Sequence, residues 1–371
     1  MLLVCSLFQI TNFVSSFCVF SVDMSQQRTR SRNPFKILFT KKNNARLSPK
    51  LLSLLNNFET NLTVSIRELV PKDKNDIVSV SWMIQAMQSL CETHKSIRTL
   101  VKDLEVPVSD LEENFIYIFS DFSLKRELCN AFTSEIYHLE HGNLLLKFAF
   151  SKLETNSGNI LQRWNQHMVS KNPSIENWGA VLSRLVESMD HHHHISKKGK
   201  KKYSAEGKVL LRVLYGVKVK TLYIFSVFDA SFSGSSKNLF YLTIPKEMEE
   251  LPWVQAFMEL QNTINPEIKN TFLSDGFTVI KDLEAVETGV KKLYTAVQEG
   301  SVPILLVEPL EKSVIELSER FELVSKETRC LSKMVISARD ALLESLWTKC
   351  AEELGVTLPT MVKSVNIEEK S

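Results

Sequence analysis

The stretch from Ala205 to Ser236 limits the possible folds of this chain most strongly, because it is highly apolar and yet carries charge. It reads AEGKVLLRVLYGVKVKTLYIFSVFDASFSGSS, and its longest uncharged run, Thr221 to Phe228, has eight residues. A helix that spans a bilayer needs about 20 apolar residues, and each charge at mid-bilayer costs about 2.5–3.5 kcal/mol on insertion scales. The stretch therefore predicts a helix buried against other helices, not a membrane span.

Within this stretch we expect Lys218 and Lys220 to extend their ammonium groups to the edge of the core, as long basic side chains commonly do. The β-branched and aromatic content leaves a strand between Val217 and Phe228 as an alternative. The predicted core spine of the protein consists of Leu214, Tyr215, Leu222, Phe225 and Phe228.

Apolar residues at helical spacing dominate the sequence on both sides of this stretch. Ser48-Pro49 has the composition of a helix start, and the apolar stripe behind it runs to Pro71. Asp73 is the predicted cap of the next helix. A third stripe is expected to end at Gly142, and a separate helix to resume at Asn143.

The last stripe is the longest and runs from Leu310 to Leu346, which corresponds to a helix about 55–60 Å long. Before it, a helix is expected to open at Pro252 and to be interrupted or restarted at Pro266. Only 11 glycines and 11 prolines occur in 371 residues, which favours long uninterrupted helices. The predicted fold class is all-α, an elongated antiparallel bundle of long amphipathic helices.

Composition shifts along the chain predict its division into segments. Residues 1–47 form a hydrophobic leader followed by a basic disordered or targeting segment, and residues 48–189 an N-terminal helical half. A His- and Lys-rich linker at 190–204 precedes a C-terminal helical half at 205–350, which is expected to pack with the first. Residues 351–371 are expected to be a disordered tail.

The sequence contains no recognisable reaction chemistry. It has no phosphate-binding glycine loop, no nucleophile elbow and no zinc-protease motif, and a net charge of +2 argues against nucleic-acid binding. The six cysteines show no metal or redox spacing and are interpreted as reduced thiols, and His94 as a core residue. The sequence therefore predicts a protein that is not an enzyme, with no catalytic residues, no cofactor and no metal site; His191–His194 is interpreted as a solvated linker.

The first fifty residues leave several alternatives open. Leu2–Val22 is uncharged and could be a membrane anchor, a signal segment or an extension upstream of a true start at Met24. The basic, acid-free region that follows could bind anionic lipid, act as a transit peptide or be a solvated tail. The predicted membrane or partner surface consists of Arg28, Arg30, Arg32, Phe35, Lys36, Phe39, Lys41 and Lys42.

Several strings in the sequence carry a family resemblance. Four of these strings resemble the plant BYPASS family. They are Lys50–Leu62 (KLLSLLNNFETNL), His167–Asn177 (HMVSKNPSIEN), Gly207–Ile224 (GKVLLRVLYGVKVKTLYI) and Phe232–Leu242 (FSGSSKNLFYL). The resemblance extends over roughly Asn33 to Leu346, which is most of the chain.

The resemblance implies a plant developmental regulator. Such a protein would restrain a root-derived, carotenoid-dependent mobile signal that arrests shoot growth, and would support normal root and shoot development. It implies no catalytic residues. The alternatives are a helical adaptor at a membrane surface without that role, and a binder or converter of an apolar carotenoid-derived metabolite. The expected partner is a protein or an anionic membrane surface. The expected location is intracellular and membrane-associated, either endomembrane or plastid. The chloroplast is favoured if the basic start is a transit peptide.

Overall fold

The fold is all-α, as the sequence predicts: in this computed structural model no strand occurs among the residues that the structure describes. Those residues are 47–73, 76–152, 157–170, 172–190, 203–235, 237, 239–271, 280–300 and 304–354. The helices of the first half are α1 (Pro49–Arg67), α2 (Val80–Asp103), α3 (Val108–Phe150), α4 (Ser157–Val169), α5 (Pro173–Glu176) and α6 (Trp178–Asp190). Those of the second half are α7 (Ala205–Ser233), α8 (Pro252–Thr271), α9 (Lys281–Gln298) and α10 (Ile304–Leu354), with a short 3₁₀ turn at Lys246–Met248 before α8.

Helix α7 lies at the centre of the core. Every residue from Val209 to Ser231 is buried, and the helix contacts α1, α2, α3, α5, α6 and α8. Its first turn is capped by Ser204, whose hydroxyl accepts from the Gly207 amide, and Gly234 ends it with a left-handed backbone (φ 60°). Because the segment is one helix throughout, the strand alternative at Val217–Phe228 is wrong.

A close approach between helices explains one small residue in α7. A Cβ atom on Gly216 would lie 2.9 Å from Leu62 Cδ2 of α1, so glycine is what lets these two helices pack this tightly. The long helix α10 packs along α2 and α3 and closes the other side of the core. Among the described residues, no helix combines the length and the apolarity required to cross a bilayer.

Some helix boundaries match the sequence prediction and others do not. Ser48 caps α1 as predicted, with its hydroxyl accepting from the Leu51 amide at 3.3 Å. The cap of α2 is Ser79 and not Asp73, because the chain makes a turn at residues 76–79 before the helix begins.

Two predicted interruptions are absent. Helix α3 continues through Gly142, whose missing Cβ leaves room for Met168 of α4: a Cβ there would lie 2.8 Å from the Met168 Sδ. Helix α8 continues through Pro266, where burial of the neighbouring Asn265 and Ile268 outweighs the loss of one backbone hydrogen bond. Tertiary packing overrides the local signal at both positions.

Candidate functional site

Of the two residue sets predicted from the sequence, the structure describes only the core spine. This set is buried in α7 and consists of Leu214, Tyr215, Leu222, Phe225 and Phe228. Phe225 and Phe228 lie in a ring cluster with Trp82, Phe132 and Trp178 at centroid separations of 4.8–6.4 Å. The predicted membrane or partner surface lies outside the described residues. It consists of Arg28, Arg30, Arg32, Phe35, Lys36, Phe39, Lys41 and Lys42.

The most unusual chemistry in the described part of the chain is a group of buried lysines, which we name the lysine centre: Lys125, Lys218 and Lys220 with Asp121 and His94. Lys218 and Lys220 are at most 1% exposed. The prediction that their ammonium groups reach the edge of the core is therefore wrong. Helix α7 is surrounded by other helices, so a lysine side chain of normal length ends inside the protein.

Lys220 is held by hydroxyl groups from two helices. Its Nζ donates to the Ser65 hydroxyl at 2.8 Å, to the Ser89 hydroxyl and carbonyl at 2.7 and 3.1 Å, and to the Thr93 hydroxyl at 2.8 Å. Ser65 lies on α1, and Ser89 and Thr93 lie one turn apart on α2. The ammonium group thus links α7 to both helices.

The hydroxyl groups around Lys220 donate their own protons to backbone carbonyls. Ser65 donates to the Leu62 carbonyl at 3.0 Å, Ser89 to the Ser65 carbonyl at 2.9 Å, and Thr93 to the Ser89 carbonyl at 2.8 Å. Each hydroxyl oxygen therefore presents its lone pairs to the lysine. This arrangement suits a charged ammonium group, which has three protons to donate and no acceptor.

Burial acts against that charge. Desolvation lowers the pKa of Lys220 to about 7, and the nearby Glu68 carboxylate opposes the shift. A surface cleft of about 240 Å³ lies outside Lys220, and its walls include Ser65, Thr93, Glu68 and Glu92. The hydroxyls of Ser65 and Thr93 separate the ammonium group from this cleft.

Lys218 is held by charge as well as by a hydroxyl. Its Nζ lies 3.2 Å from Asp121 Oδ1 and donates to the Ser188 hydroxyl at 2.9 Å. Lys125, one turn beyond Asp121 on α3, lies 2.7 Å from the other carboxylate oxygen. Burial lowers the pKa of both lysines. Burial alone would raise the pKa of Asp121, but the two ammonium groups hold it below its usual value.

His94 is fully buried beside these charges. Neither ring nitrogen has a hydrogen-bond partner among the described residues. Burial and the charges of Lys125 and Lys220 lower its pKa well below its usual value, while Asp121 opposes this shift, so the ring is neutral. Its burial agrees with the interpretation of His94 as a core residue.

The geometry of the lysine centre suits a polar anchor inside the bundle. Lys218 and Lys220 connect α7 to α1, α2, α3 and α6 through directed bonds, and α7 has a further ion pair in which Arg212 meets both oxygens of Glu59 at 2.6 and 2.9 Å. Buried polar groups of this kind fix the register of packed helices, because each misplacement leaves a charge without its partners.

Sequence reasoning missed this centre because its members come from distant parts of the chain. One signal was present: Ser89, Thr93 and His94 are polar residues on the same apolar stripe of α2. Polar residues on a buried stripe indicate that a partner lies opposite.

Comparison with known proteins gives the family. "Protein BPS1, chloroplastic" of Arabidopsis thaliana is 55% identical over 342 residues, which cover 90% of this chain and 95% of that protein. "UPF0496 protein 4" of two rice subspecies, japonica and indica, is 35% identical over 270 residues, which cover 71% of this chain and 58% of the rice protein. No family model matches the chain. No solved structure matches it either.

The Arabidopsis match extends over nearly the whole of both proteins, and its identity is far above what unrelated helical bundles share by composition. It agrees with the strings that carry the resemblance in the sequence, from Lys50–Leu62 to Phe232–Leu242. The chain belongs to the plant BYPASS family.

Proposed function

We propose that this protein is a non-enzymatic regulator of plant development. It restrains production of a root-derived, carotenoid-dependent mobile signal that arrests shoot growth, and so supports normal root and shoot development. The observation that carries the proposal is the 55% identity to Protein BPS1 over 95% of that protein.

The use of the interior charges supports a role without catalysis. Lys218 bonds to Asp121 and Ser188, and Lys220 is surrounded by four oxygen acceptors. A nucleophilic lysine needs an amine that reaches its substrate. Lys220 instead lies behind the hydroxyls that bind it, and its bonds connect helices.

Complementation with a matched variant tests both parts of the proposal. Plants that lack their own BYPASS-family protein, transformed with this chain, should recover shoot growth. The Lys220→Met variant should restore growth equally if its helicity and abundance match those of the wild type. Failure of the wild-type chain would contradict the regulatory role, whereas failure of an intact, folded Lys220→Met protein would indicate chemistry at Lys220.

We further propose that the protein acts in the plastid, at an anionic membrane surface or on a protein partner. The name of the Arabidopsis relative, which is called chloroplastic, supports the compartment. Eight residues between Arg28 and Lys42 form the proposed contact surface. Liposome flotation of the full chain and of a chain lacking residues 24–50 tests the membrane part: equal binding, or none, would contradict it. Imaging of tagged chains that start at Met1 and at Met24 tests the compartment.

A half-open surface cleft favours a second candidate function, the binding of an apolar metabolite. It has a volume of about 580 Å³ and lies between the segment at 241–244 and helix α8. Its apolar lining includes Tyr241, Leu242, Val254 and Met258. The polar residues of the lining are Thr243, Glu249, Gln255, Gln261 and Asn262. Ligand sites commonly combine this size with a few polar groups on apolar walls.

Native mass spectrometry of the purified full chain tests this second function. An apolar small molecule should copurify with the wild type and should be lost from Met258→Lys, which places a charge in the cleft. Met258 is 38% exposed, so this substitution should leave folding intact. Wild-type protein without a bound small molecule would contradict the second function.

A further inference from the structure

Two cysteines and a glutamate that are distant in sequence meet where α2 packs against α10. The ligand atoms of Cys91, Glu327 and Cys330 all lie within 4.8 Å of one another. Glu327 and Cys330 are three residues apart on α10, so they share one face of that helix. Cys91 faces them from α2. The spacing of these cysteines along the chain matches no metal motif, because helix packing brings them together.

We propose that Cys91, Cys330 and Glu327 bind a zinc ion that joins α2 to α10. Zinc accepts thiolate and carboxylate ligands in tetrahedral geometry, with about 2.3 Å to sulfur and about 2.0–2.2 Å to oxygen. Those bond lengths place neighbouring ligand atoms about 3.4–3.8 Å apart, so side-chain movements of about 1 Å bring the three atoms to these separations. Water completes the coordination at the fourth position.

The three groups can each carry a negative charge, which a divalent cation attracts. Burial is the main cause that raises the pKa of the Cys91 thiol, and its hydrogen bond to Cys330 and the negative charges that Cys330, Glu327 and Cys129 can carry raise it further. A bound cation would offset the repulsion among Cys91, Cys330 and Glu327. Glu327 also has no ion pair with a basic residue in the described part of the chain.

The surroundings also contain the support that a metal ligand needs. The Gln88 side-chain amide donates to Glu327 Oε1 at 3.2 Å and leaves the other carboxylate oxygen for the metal. Such bonds to a ligand orient it, and their loss typically lowers metal affinity about 10–100-fold. Gln88 is exposed, and Glu327 and Cys330 are half-buried, so zinc can enter from solvent. Binding releases the two thiol protons, and affinity therefore increases with pH.

The test uses the full chain, reduced and without an affinity tag, and with His191–His194 replaced by glutamine, because a histidine tract binds metals by itself. This background protein should bind one equivalent of Zn²⁺ in equilibrium dialysis. With Co²⁺ as a probe it should show thiolate-to-cobalt charge-transfer absorption. Cys91→Ala and Cys330→Ser should each lower zinc affinity by more than about 100-fold, and Gln88→Ala by about 10–100-fold.

Cys129→Ala is the matched control, since Cys129 is also a buried cysteine of this core but does not belong to the three-residue group. It should bind zinc as the background protein does. Circular dichroism checks the fold of each variant, and Glu327→Gln, at a half-buried position, replaces Cys91→Ala if the latter does not fold. Binding of less than one equivalent, equal affinity of Cys330→Ser and Cys129→Ala, or cobalt spectra without a thiolate band would each overturn the proposal.

Discussion

Lys218 and Lys220 project from opposite faces of helix α7, because two residues turn an α-helix by about 200°. Lys218 meets Asp121 of α3, and Lys220 meets the hydroxyls of α1 and α2. One helix thus fixes its neighbours on both sides with two buried lysines, one paired with a carboxylate and the other with neutral oxygens. The two lysines are expected to respond differently to mutation and to pH.

Replacement of Asp121 tests the ion pairs that this carboxylate makes with Lys125 and Lys218. Asp121→Asn removes the carboxylate that Lys125 and Lys218 share and leaves two buried ammonium groups facing an amide. We expect the free energy of unfolding to decrease by about 3–5 kcal/mol, as when one partner of a buried ion pair is lost. Equilibrium denaturation in urea measures the change.

Two further variants serve as comparisons for Asp121→Asn. Asp340→Asn, at an exposed ion pair with Arg339, should change the free energy of unfolding by no more than about 0.5 kcal/mol. Lys218→Met added to Asp121→Asn should restore part of the loss, because it removes one of the two uncompensated cations. Equal effects of Asp121→Asn and Asp340→Asn would show that Asp121 does not hold the lysines.

The pH dependence of stability tests the contact between Lys220 and the uncharged oxygens that bind it. The pKa of Lys220 is about 7 in the folded protein, against an ordinary value of 10.5 when unfolded. Between these values the unfolded chain binds more protons than the folded one, so the free energy of unfolding should increase with pH, at no more than about 1.4 kcal/mol per pH unit. Denaturation curves of the wild type between pH 7 and 9 should show this increase.

Lys220→Met removes this titration, so its free energy of unfolding should increase less over the same range. Lys125 and Lys218 keep their own contribution, since burial lowers the pKa of both. Lys95→Met, at an exposed position of the same α2 that binds Lys220, is the control and should follow the wild type. Parallel pH curves for wild type and Lys220→Met would contradict the lowered pKa.

The sequence predicts the all-α class and the buried position of α7 because both depend on patterns within one stretch of chain. Apolar stripes have a period that only a helix fits, and charge interrupts the central stretch too often for a membrane span. The lysine centre and the cysteine–glutamate group could not be predicted. Each depends on which helix faces which: Lys220 meets Ser65 across 155 residues, and Cys91 meets Glu327 across 236.

The cap of α1 provides a local test of the sequence-based prediction. Ser48 accepts from the Leu51 amide, so Ser48→Ala should lower the free energy of unfolding by about 1 kcal/mol, the typical cost of losing an N-cap side chain. Ser96→Ala, a half-buried position within α2 whose hydroxyl donates only to the Glu92 carbonyl of its own helix, should change it by no more than about 0.5 kcal/mol. Urea denaturation of both variants provides the comparison, and a larger loss from Ser96→Ala would contradict the capping role.

A group of three histidines joins α3 to α4 and should make the protein sensitive to acid. The ring of His167 lies 4.1 Å from that of His138 and 4.7 Å from that of His141, between centroids. Burial and the charges of His167 and His141 lower the pKa of His138 to about 4. Between this value and 6.5 the unfolded chain binds more protons than the folded one, so the free energy of unfolding falls as pH decreases through this range.

His138→Gln should therefore shift acid unfolding, followed by circular dichroism, to lower pH. The hydrogen bond between His167 Nε2 and the backbone carbonyl of residue 138 remains possible in this variant, so the test isolates the titration of the side chain. The shift should be small because His138 is half-exposed, and solvent screens its charge. Tyr137→Gln, at the exposed neighbouring position, should leave the acid transition where it is in the wild type. If both variants unfold at the wild-type pH, His138 does not determine the acid sensitivity, and the contact between α3 and α4 tolerates a charged histidine cluster.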